Sequence, residues 1–347
     1  MRTVTAYSTS APGSPFERTA IERRDLGPHD VLIAIAYAGI CHSDIHTARN
    51  EWGPATFPLV PGHEIAGIVE GIGAEVTTHA IGDRVGVGCL VDSCGECRHC
   101  LAGNEQFCQQ SVGTYNDTGR DGLPTAGGYS THIVVSDRFV LRIPDGLALD
   151  VAAPLLCAGI TTYSPLRHWK AGNGSRVGIV GLGGLGHMGV KFAHALGCHV
   201  TALTRTLDKA DDARRLGADA VHATSDPATF KALRDSFDLV INTVSANIDM
   251  DRHLRMLDVD GVFVNVGAPV DPLSLRVFSL IGNRRSFAGS PIGGIPETQE
   301  MLDVAAAHGF GADIETIGAD GIDAAYERVV AGDVRYRFVI DIATLDA

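Results

Sequence analysis

Residues 41–46, CHSDIH, concentrate side chains that can bind a metal or carry a proton. The apolar run VLIAIAYAGI at 31–40 comes directly before them and predicts a buried strand. Reactive groups at the end of a buried strand indicate a site rather than a solvated loop. The side chains concerned are a thiol, a hydroxyl, a carboxylate and two imidazoles, contributed by Cys41, Ser43, Asp44, His42 and His46.

Four of the eight cysteines follow the spacing C-x2-C-x2-C-x7-C within DSCGECRHCLAGNEQFC, namely Cys94, Cys97, Cys100 and Cys108. Four thiolates on one short segment match a closed tetrahedral zinc site, which leaves no position for a substrate, so we expect a structural role. An iron–sulfur cluster also uses cysteines at x2 spacing, and four unrelated loop cysteines are the other alternative. The short x7 step and the absence of a proline after the fourth cysteine favour zinc.

A glycine-rich turn, GLGGLG at 181–186, lies between the strand-like run RVGIV and the helix-like run HMGVKFAHALG. In a dinucleotide-binding turn, Gly181 would permit the tight turn, Gly183 would let the backbone approach the pyrophosphate, and Gly186 would let the helix pack on the strand. The free N–H groups of the helix would then face the phosphates. A glycine-rich turn without a ligand is the alternative.

The strand after this turn ends without an acidic residue. NAD enzymes carry an Asp or Glu roughly 20 residues past the glycines, where it binds the ribose 2′-OH. Here the strand HVTALT is followed by Arg205 and Thr206, and Asp208 and Lys209 come later. Arg205 offers planar donors suited to a 2′-phosphate, and Thr204 and Thr206 can add hydroxyls. We therefore predict a preference for NADP, with a solvated surface arginine as the alternative.

A second set of metal ligands is scattered along the chain. PGHE supplies His63 and Glu64, LLCAG supplies Cys157, and CHSDIH supplies Cys41. A Cys2His set would leave a fourth position for water, substrate or Glu64. Residues so far apart prove nothing by their spacing, and two buried small residues with a core histidine remain the alternative.

The element pattern changes along the chain. From about residue 175, strands and helices alternate, which predicts right-handed crossovers and a parallel sheet. After about residue 285 we expect one further helix, PETQEMLDVAAAHG, and a closing strand, YRFVIDI. The first 150 residues are β-rich, with strand-like runs at 31–39, 65–71, 83–88 and 131–142.

Composition limits the class of protein. A chain of 347 residues is long enough for two domains. Its formal net charge of −13 argues against a nucleic acid or an anionic membrane as partner. No apolar run approaches the roughly 20 residues of a membrane helix, and MRTVTAYSTS is not a signal peptide. We expect a cytoplasmic protein, in which clustered cysteines indicate metal binding rather than disulfides.

These motifs together resemble the zinc-dependent medium-chain alcohol dehydrogenases, in particular the cinnamyl-alcohol-dehydrogenase-like branch with bacterial NADP-dependent aldehyde reductases. The resemblance implies an α/β fold with a GroES-like β-rich catalytic domain (1–152, structural-zinc lobe at about 90–110), a Rossmann NADP-binding domain (153–288) and a C-terminal return (289–347). It rests on GICHSDIHTARNEWGPATFPLVPGHEIAGIVEGIG, GDRVGVGCLVDSCGECRHC, GTYN, GGYS, LLCAGITTYSPL, GLGGLGHMGVK and GDVRYRFVIDI.

The resemblance also implies roles at the reactive end of the chain. Cys41, His63 and Cys157 match the catalytic zinc ligands, a set already established for alcohol dehydrogenase, and Glu64 matches a glutamate that can approach the metal. Asp44 matches the carboxylate that orients the histidine ligand. A proton relay through the cofactor ribose is implied for two further residues, Ser43 and His46. At the position of His42 some relatives carry arginine.

The implied reaction is reversible hydride transfer between nicotinamide C4 and a primary alcohol or aldehyde, aromatic or aliphatic. The implied cofactors are NADP(H) and two zinc ions, and a homo-oligomer, most often a dimer, is implied through the Rossmann sheets. Trp52 matches a wall of the substrate pocket, with a plain core tryptophan as alternative. The implied cofactor contacts are Thr161, Gly181, Leu182, Gly183, Gly184, Leu185, Gly186, Thr204, Arg205, Thr206, Lys209, Thr243, Val266, Ser290 and Arg337.

Two other classes of protein compete with this interpretation. One is a zinc-free reductase of the quinone-oxidoreductase type, which Cys41, His63 and Cys157 together argue against. The other is a metal-buffering or redox-sensing protein built on the cysteine lobe, which the glycine turn and the second ligand set argue against.

Overall fold

The structure, a computed structural model, describes residues 1–269 and 271–346. Its strands are β1 (Arg2–Thr9), β2 (Phe16–Arg23), β3 (Asp30–Gly39), β4 (Ile65–Ile72), β5 (Arg84–Val87), β6 (Leu90–Asp92), β7 (Val112–Gly113), β8 (His132–Ser136), β9 (Leu141–Arg142), β10 (Arg176–Val180), β11 (His199–Thr204), β12 (Ala220–Ala223), β13 (Phe237–Asn242), β14 (Leu257–Asn265), β15 (Ser286–Gly289), β16 (Ile314–Ile317) and β17 (Arg337–Asp341).

The α-helices are separated by these strands and by short 3₁₀ turns. They are α1 (His42–Ala48), α2 (Arg98–Leu101), α3 (Leu149–Ala152), α4 (Ala158–His168), α5 (Gly186–Ala195), α6 (Ala210–Arg215), α7 (Pro227–Ala232), α8 (Met250–Leu254), α9 (Phe278–Ile281), α10 (Ile295–Ala307) and α11 (Ile322–Ala331).

The chain divides into two compact units. The first comprises residues 1–157 and the chain from Gly293 onward, and the second comprises Ala158–Ile292. The domain boundaries expected from the sequence lie after residues 152 and 288. In the structure the first unit continues to Cys157, so both thiols and the imidazole of the scattered ligand set belong to one unit.

The first unit is built on a seven-stranded sheet with β3 at its centre. One edge of β3 pairs with β4, while its other edge pairs with β8 near its start and with β17 near its end. The apolar alternation of VLIAIAYAG places Val31, Ile33 and Ile35 in the core below this sheet. This pairing brings the last strand of the chain beside the segment that leads to CHSDIH.

Two expectations for the first unit were wrong. The run at 131–142 is not one strand, because a 3₁₀ turn at Asp137–Phe139 separates β8 from β9. The C-terminal segment holds a second helix, α11, besides α10. Its buried residues recur at helical spacing and define an apolar face: Ile322, Ala325, Tyr326 and Val329.

The second unit is the parallel sheet that the alternating pattern predicts. Its strand order is β12-β11-β10-β13-β14-β15, and every neighbouring pair is parallel. The chain moves outward in one direction from β10 to β12 and in the other from β13 to β15. This reversal between β10 and β13 creates a crevice at the carboxyl ends of the strands, where open α/β sheets bind their ligands.

In the part of the chain that the structure describes, no helix is both long enough and apolar enough to cross a membrane.

Candidate metal and cofactor sites

CHSDIH forms the first turn of a helix. Cys41 is the N-cap of α1, and its backbone N–H donates to Asp44 Oδ2 over 2.9 Å, as in a capping box. The Asp44 carboxylate is therefore held in place by the first turn of α1. Just before it, Gly39 has to be glycine, since a Cβ there would lie 2.0 Å from Glu64 Oε2.

The scattered ligand set comes together beside this helix end. The donor atoms of Cys41, His63, Glu64 and Cys157 all lie within 4.8 Å of one another, and all four residues are buried. The Sγ atoms of Cys41 and Cys157 are 3.9 Å apart. Two thiolates on one tetrahedral zinc, each at about 2.3 Å, would be separated by about 3.8 Å. The pocket therefore fits a zinc ion.

Asp44 fixes the orientation of the histidine ligand. Its Oδ1 accepts from His63 Nδ1 over 2.9 Å and from the Gly62 backbone N–H over 3.2 Å, and the carboxylate is fully buried. With Nδ1 engaged, Nε2 is the nitrogen left for a metal. Burial lowers the pKa of His63, but Asp44 and the nearby thiols outweigh it and raise the pKa well above its usual value. The negative groups around His63 therefore favour a cation in this pocket.

Glu64 leaves one buried oxygen without a partner. Its Oε1 accepts from Arg337 Nη2 over 2.5 Å, and the same nitrogen donates to the Ile40 carbonyl over 2.8 Å. Oε2 has no hydrogen-bond partner. Burial raises the pKa of Glu64 to about 8, with Arg337 opposing it. An unpartnered carboxylate oxygen among thiols and an imidazole is what a metal ion would satisfy.

The two residues expected to form a proton relay lie on α1 next to this pocket. Ser43 Oγ lies 3.6 Å from Cys41 Sγ. The His46 ring is held by Glu51 Oε2, 2.5 Å from Nδ1, and stacks on Trp52 at 4.6 Å between centroids. His46 Nε2 is buried without a partner, and no direct hydrogen bond between Ser43 and His46 occurs among the described residues. Trp52 is 51% exposed, so it is not a core tryptophan.

The four clustered cysteines form a second pocket. Sγ–Sγ distances are 3.8 Å between Cys94 and Cys100, 3.5 Å between Cys97 and Cys100, and 3.5 Å between Cys94 and Cys108. These separations are far longer than a disulfide bond and match thiolates around one zinc. The backbone N–H groups of Glu96 and Cys97 lower the pKa of Cys94 to about 6, which favours the thiolate.

The glycine turn has the geometry that its motif predicts. Gly181 has a φ of +90°, and a Cβ on Gly186 would lie 1.9 Å from the Gly181 carbonyl oxygen, so α5 can pack on β10 only if residue 186 is glycine. A Cβ on Gly183 would meet nothing within 4 Å. The open space therefore lies above the middle of the turn, where a pyrophosphate would sit.

The other expected cofactor residues occupy the same unit, apart from Arg337. Lys209 Nζ donates to the Leu182 carbonyl oxygen over 3.2 Å. Thr206 Oγ1 donates to Asp208 Oδ2 over 2.8 Å, and the Arg205 side chain is exposed at the carboxyl end of β11. The remaining positions are Leu182, Gly184 and Leu185 in the turn, Thr161 in α4, Thr204 at the end of β11, and Thr243, Val266 and Ser290 just after β13, β14 and β15.

Two tyrosines beside the buried pocket were missed as site residues. The Tyr115 ring stacks on His63 at 5.7 Å between centroids, and the Tyr129 hydroxyl lies 3.5 Å from Asp44 Oδ2. Both lie in the short motifs GTYN and GGYS. The two motifs themselves were the available signal, but nothing in the sequence places either tyrosine near residues 44 and 63.

Comparison with known proteins decides the family. A model of the alcohol dehydrogenase GroES-like domain matches residues 27–145, and a zinc-binding dehydrogenase model matches residues 184–307. The probable formaldehyde dehydrogenase AdhA of Bacillus subtilis is 62% identical over 97% of both chains. The chain belongs to the zinc-binding alcohol dehydrogenase family. NADP-dependent alcohol dehydrogenase C of Mycobacterium tuberculosis is 59% identical over 99% of this chain and 100% of its own.

A solved structure of this family confirms the fold. A cinnamyl alcohol dehydrogenase from Sorghum bicolor is 44% identical, covers 99% of this chain and 98% of its own, and superimposes with a TM-score of 0.96. The expected family, the GroES-like and Rossmann fold class and the dependence on zinc are confirmed. The protein is thus a zinc-dependent alcohol dehydrogenase, and a zinc-free reductase or a metal buffer is no longer a competing class.

Proposed function

We propose that this alcohol dehydrogenase uses NADP(H) and interconverts primary alcohols and aldehydes, aromatic or aliphatic, by hydride transfer at nicotinamide C4. The observation that carries the proposal is the buried set of Cys41, His63, Glu64 and Cys157, whose donor atoms lie within 4.8 Å. Relatives that are named for NADP-dependent alcohol dehydrogenase and cinnamyl alcohol dehydrogenase activity support the cofactor and substrate class.

The residues of the buried pocket have separable tasks in this reaction. Zinc, when bound, supplies a Lewis acid that polarises the substrate oxygen and favours its deprotonated form. Cys41, His63 and Cys157 hold the ion, and Asp44 holds His63 Nδ1 so that Nε2 stays aimed at it. Arg337 neutralises Glu64, which would otherwise be an unpaired buried carboxylate.

The proton released by an alcohol needs a path to solvent. Ser43 and His46 are three residues apart on α1 and therefore share a face of the helix. The Ser43 hydroxyl would accept this proton near the metal pocket while giving up its own, and His46 Nε2 would be the group that takes a proton on toward solvent. Two observations support this task for His46: Nε2 has no partner, and Glu51 and Trp52 fix the ring.

The cofactor is held by the second unit. The N–H groups at the start of α5 and the open space over Gly183 receive the pyrophosphate. Arg205 receives the 2′-phosphate, supported by its exposed guanidinium and by the lack of an acid at the end of β11. The contacts of Thr161, Thr243, Val266, Ser290 and Arg337 with the cofactor remain predictions, as does Trp52 in the pocket wall.

A dimer is part of the proposal. Strand β15 forms the outer edge of the parallel sheet and pairs only with β14 within the described sheet. Exposed apolar side chains lie in and just before the short helix α9, which precedes β15 in the chain, among them Phe278, which is 85% exposed, with Val277 and Ile281. An open strand edge with exposed apolar residues favours pairing with a second copy.

We also propose a cytoplasmic location. The net charge of −13 favours the absence of a nucleic-acid or membrane partner.

The direct test is reduction of aldehydes by zinc-loaded protein. NADPH oxidation is followed with an aromatic and an aliphatic aldehyde, before and after removal of the metal with a chelator and again after zinc is restored. We expect activity that is lost and regained with zinc. Folded, zinc-loaded protein that oxidises NADPH with neither aldehyde would refute the proposed substrate class.

A further inference from the structure

Two asparagine side chains form a hydrogen-bonded pair at the carboxyl ends of neighbouring strands in the second unit. Asn242 ends β13 and Asn265 ends β14. The Asn242 Nδ2 donates to Asn265 Oδ1 over 2.7 Å, and Asn242 is almost completely buried. An unpaired buried amide costs free energy, so a buried amide pair is stable only when its donors and acceptors have hydrogen-bond partners.

Each asparagine also holds the loop that follows its own strand. Asn242 Oδ1 accepts from the Val244 backbone N–H over 3.2 Å, and Asn265 Nδ2 donates to the Gly267 carbonyl oxygen over 2.6 Å. The pair therefore connects two loops as well as two strands. We call Asn242 and Asn265 with these bonds the asparagine clamp.

The two loops are pressed together where the clamp holds them. The backbone N–H groups of Val266 and Gly267 both donate to the Asn242 carbonyl oxygen over 3.0 Å. A Cβ on Gly267 would lie 2.2 Å from the Val244 carbonyl oxygen, so only glycine fits. Thr243 is tied to β10 as well, because its N–H and its hydroxyl both donate to the Val180 carbonyl oxygen, over 2.9 and 2.8 Å. The clamp side chains add the bonds to Val244 and Gly267, the residues next to Thr243 and Val266.

The strand order shows what lies over these loops once a cofactor is bound, and this step rests on the proposed function. Arg205 follows β11 and the glycine turn follows β10, so the 2′-phosphate and the pyrophosphate occupy adjacent strand ends. Beyond β10 the next strands are β13 and β14, each about 4.8 Å further along. An extended dinucleotide that runs from β11 to β10 therefore continues over the loops at 243–244 and 266–267.

We propose that Asn242 and Asn265 are positioning residues that place the nicotinamide half of NADP(H). Neither side chain needs to touch the cofactor, because each fixes a loop that does. The adenosine half is bound at β11 and β10, outside the reach of the clamp. Loss of the clamp should therefore weaken binding of the whole dinucleotide and leave binding of its adenosine half unchanged.

The test uses zinc-loaded full-length protein with the variant Asn265→Ala. This change removes one bond to Asn242 and one to Gly267. Dissociation constants are measured by calorimetry for NADPH and for 2′,5′-ADP, which contains the adenosine half alone. The variant must order on binding the loop that these two bonds hold beforehand, so at most their net free energy, about five- to a hundredfold, is lost from NADPH binding. We expect the Kd for NADPH to rise at least about fivefold and that for 2′,5′-ADP to change less than twofold.

A matched control is available in the same unit. Asn283 Nδ2 donates to Asp235 Oδ1 over 2.9 Å, and these residues precede β15 and β13, at the amino ends of the strands. Asn283→Ala removes a comparable amide bond and should leave both dissociation constants unchanged. If Asn265→Ala does not fold, Asn265→Asp keeps the acceptor for Asn242 and replaces the donor to Gly267 with an oxygen that repels the Gly267 carbonyl.

The outcomes separate this inference from the function on which it rests. Selective loss of NADPH affinity in the Asn265 variant, with the control unaffected, supports the clamp. Equal losses for NADPH and 2′,5′-ADP, or no loss for either, overturn it. Wild-type protein that binds 2′,5′-ADP no better than 5′-AMP would instead contradict the proposed NADP preference.

Discussion

Asp44 is a buried residue on which two functions of the metal pocket depend. Its carboxylate caps α1 through the Cys41 N–H and orients His63 through Nδ1. It thereby positions a thiol and an imidazole that are 22 residues apart in sequence. The geometry of two of the proposed zinc ligands is thus set by a residue outside the proposed ligand set.

Replacing Asp44 with asparagine should weaken one zinc site and spare the other. The amide cannot accept from all the donors and carries no charge to stabilise the ligand histidine. Mutation of a carboxylate that hydrogen-bonds a metal-binding histidine typically lowers metal affinity or activity about 10- to 100-fold. Metal analysis after dialysis against a chelator should show preferential loss of one zinc, and kcat/KM should fall by a similar factor. Retention of both ions with wild-type activity would contradict the role of Asp44.

His46 should matter more at low pH than at high pH. A relay base contributes least when hydroxide is abundant, so His46→Ala should slow turnover most on the acidic side of the pH profile. The measurement is kcat for alcohol oxidation across pH in wild type and variant. Glu51→Gln is a useful control because it keeps the ring stack on Trp52 and alters only the partner of Nδ1. A loss that is the same at every pH would mean that His46 only packs against Trp52.

Arg205 should decide the choice between the two nicotinamide cofactors. A well-paired bond to a charged group contributes about 1.5–3 kcal/mol, so Arg205→Ala should lose about ten- to a hundredfold in kcat/KM with NADPH. Little change is expected with NADH, which lacks the 2′-phosphate and thus provides the internal control. Equal losses with both cofactors, or a wild-type preference for NADH, would show that Arg205 is a solvated surface residue.

At the scale of elements, the cysteine lobe is the clearest independent feature. It includes the short helix α2 (Arg98–Leu101) and otherwise consists mainly of turns. So few regular hydrogen bonds and so small a core cannot define the geometry of four thiols alone. Metal binding and folding of such a segment are therefore coupled.

Cys94→Ser should remove one zinc ion and destabilise the protein. Wild-type protein should contain two zinc ions per chain, and the variant should contain one and melt at a lower temperature because the lobe loses its cross-link. Metal analysis of freshly purified protein and thermal unfolding are the measurements. A single ion in well-folded wild-type protein would contradict the assignment of two sites.

At the scale of the whole molecule, the open edge of the parallel sheet determines the assembly that we expect. Strand β15 and the exposed residues around Phe278 leave apolar surface in water. The overall charge of −13 opposes close approach of two copies, so a dimer depends on this apolar edge and not on electrostatic attraction. Salt should accordingly have little weakening effect on it.

Placing a charge at this edge should separate the dimer. Phe278→Asp would put a carboxylate into the expected interface, and light scattering after gel filtration should change from twice the chain mass to the chain mass. Phe107→Asp, which alters another exposed aromatic residue on the cysteine lobe, is the matched control and should remain dimeric. A wild-type monomer, or a dimer unaffected by Phe278→Asp, would refute this interface.

The sequence alone determined the features that are encoded in contiguous motifs. The four cysteines of the lobe and the glycines at 181–186 are close along the chain, so their spacing already limits their geometry. The alternation of strands and helices after residue 175 predicted the parallel sheet for the same reason, because hydrophobic periodicity is local. The resemblance then assigned roles to residues that spacing could not connect.

Only the tertiary structure brought distant residues together. Pairing of β17 with β3 carries Arg337 to Glu64, 273 positions away. The parallel neighbours β13 and β14 bring Asn242 to Asn265, and the buried core places Tyr115 on the ring of His63. These contacts depend on strand pairing and side-chain packing, which many residues determine jointly. Local patterns therefore could not show the tyrosines or the asparagine clamp. Helix α11 is a different case, because its apolar residues recur at helical spacing in the sequence itself, from Ile322 to Val329.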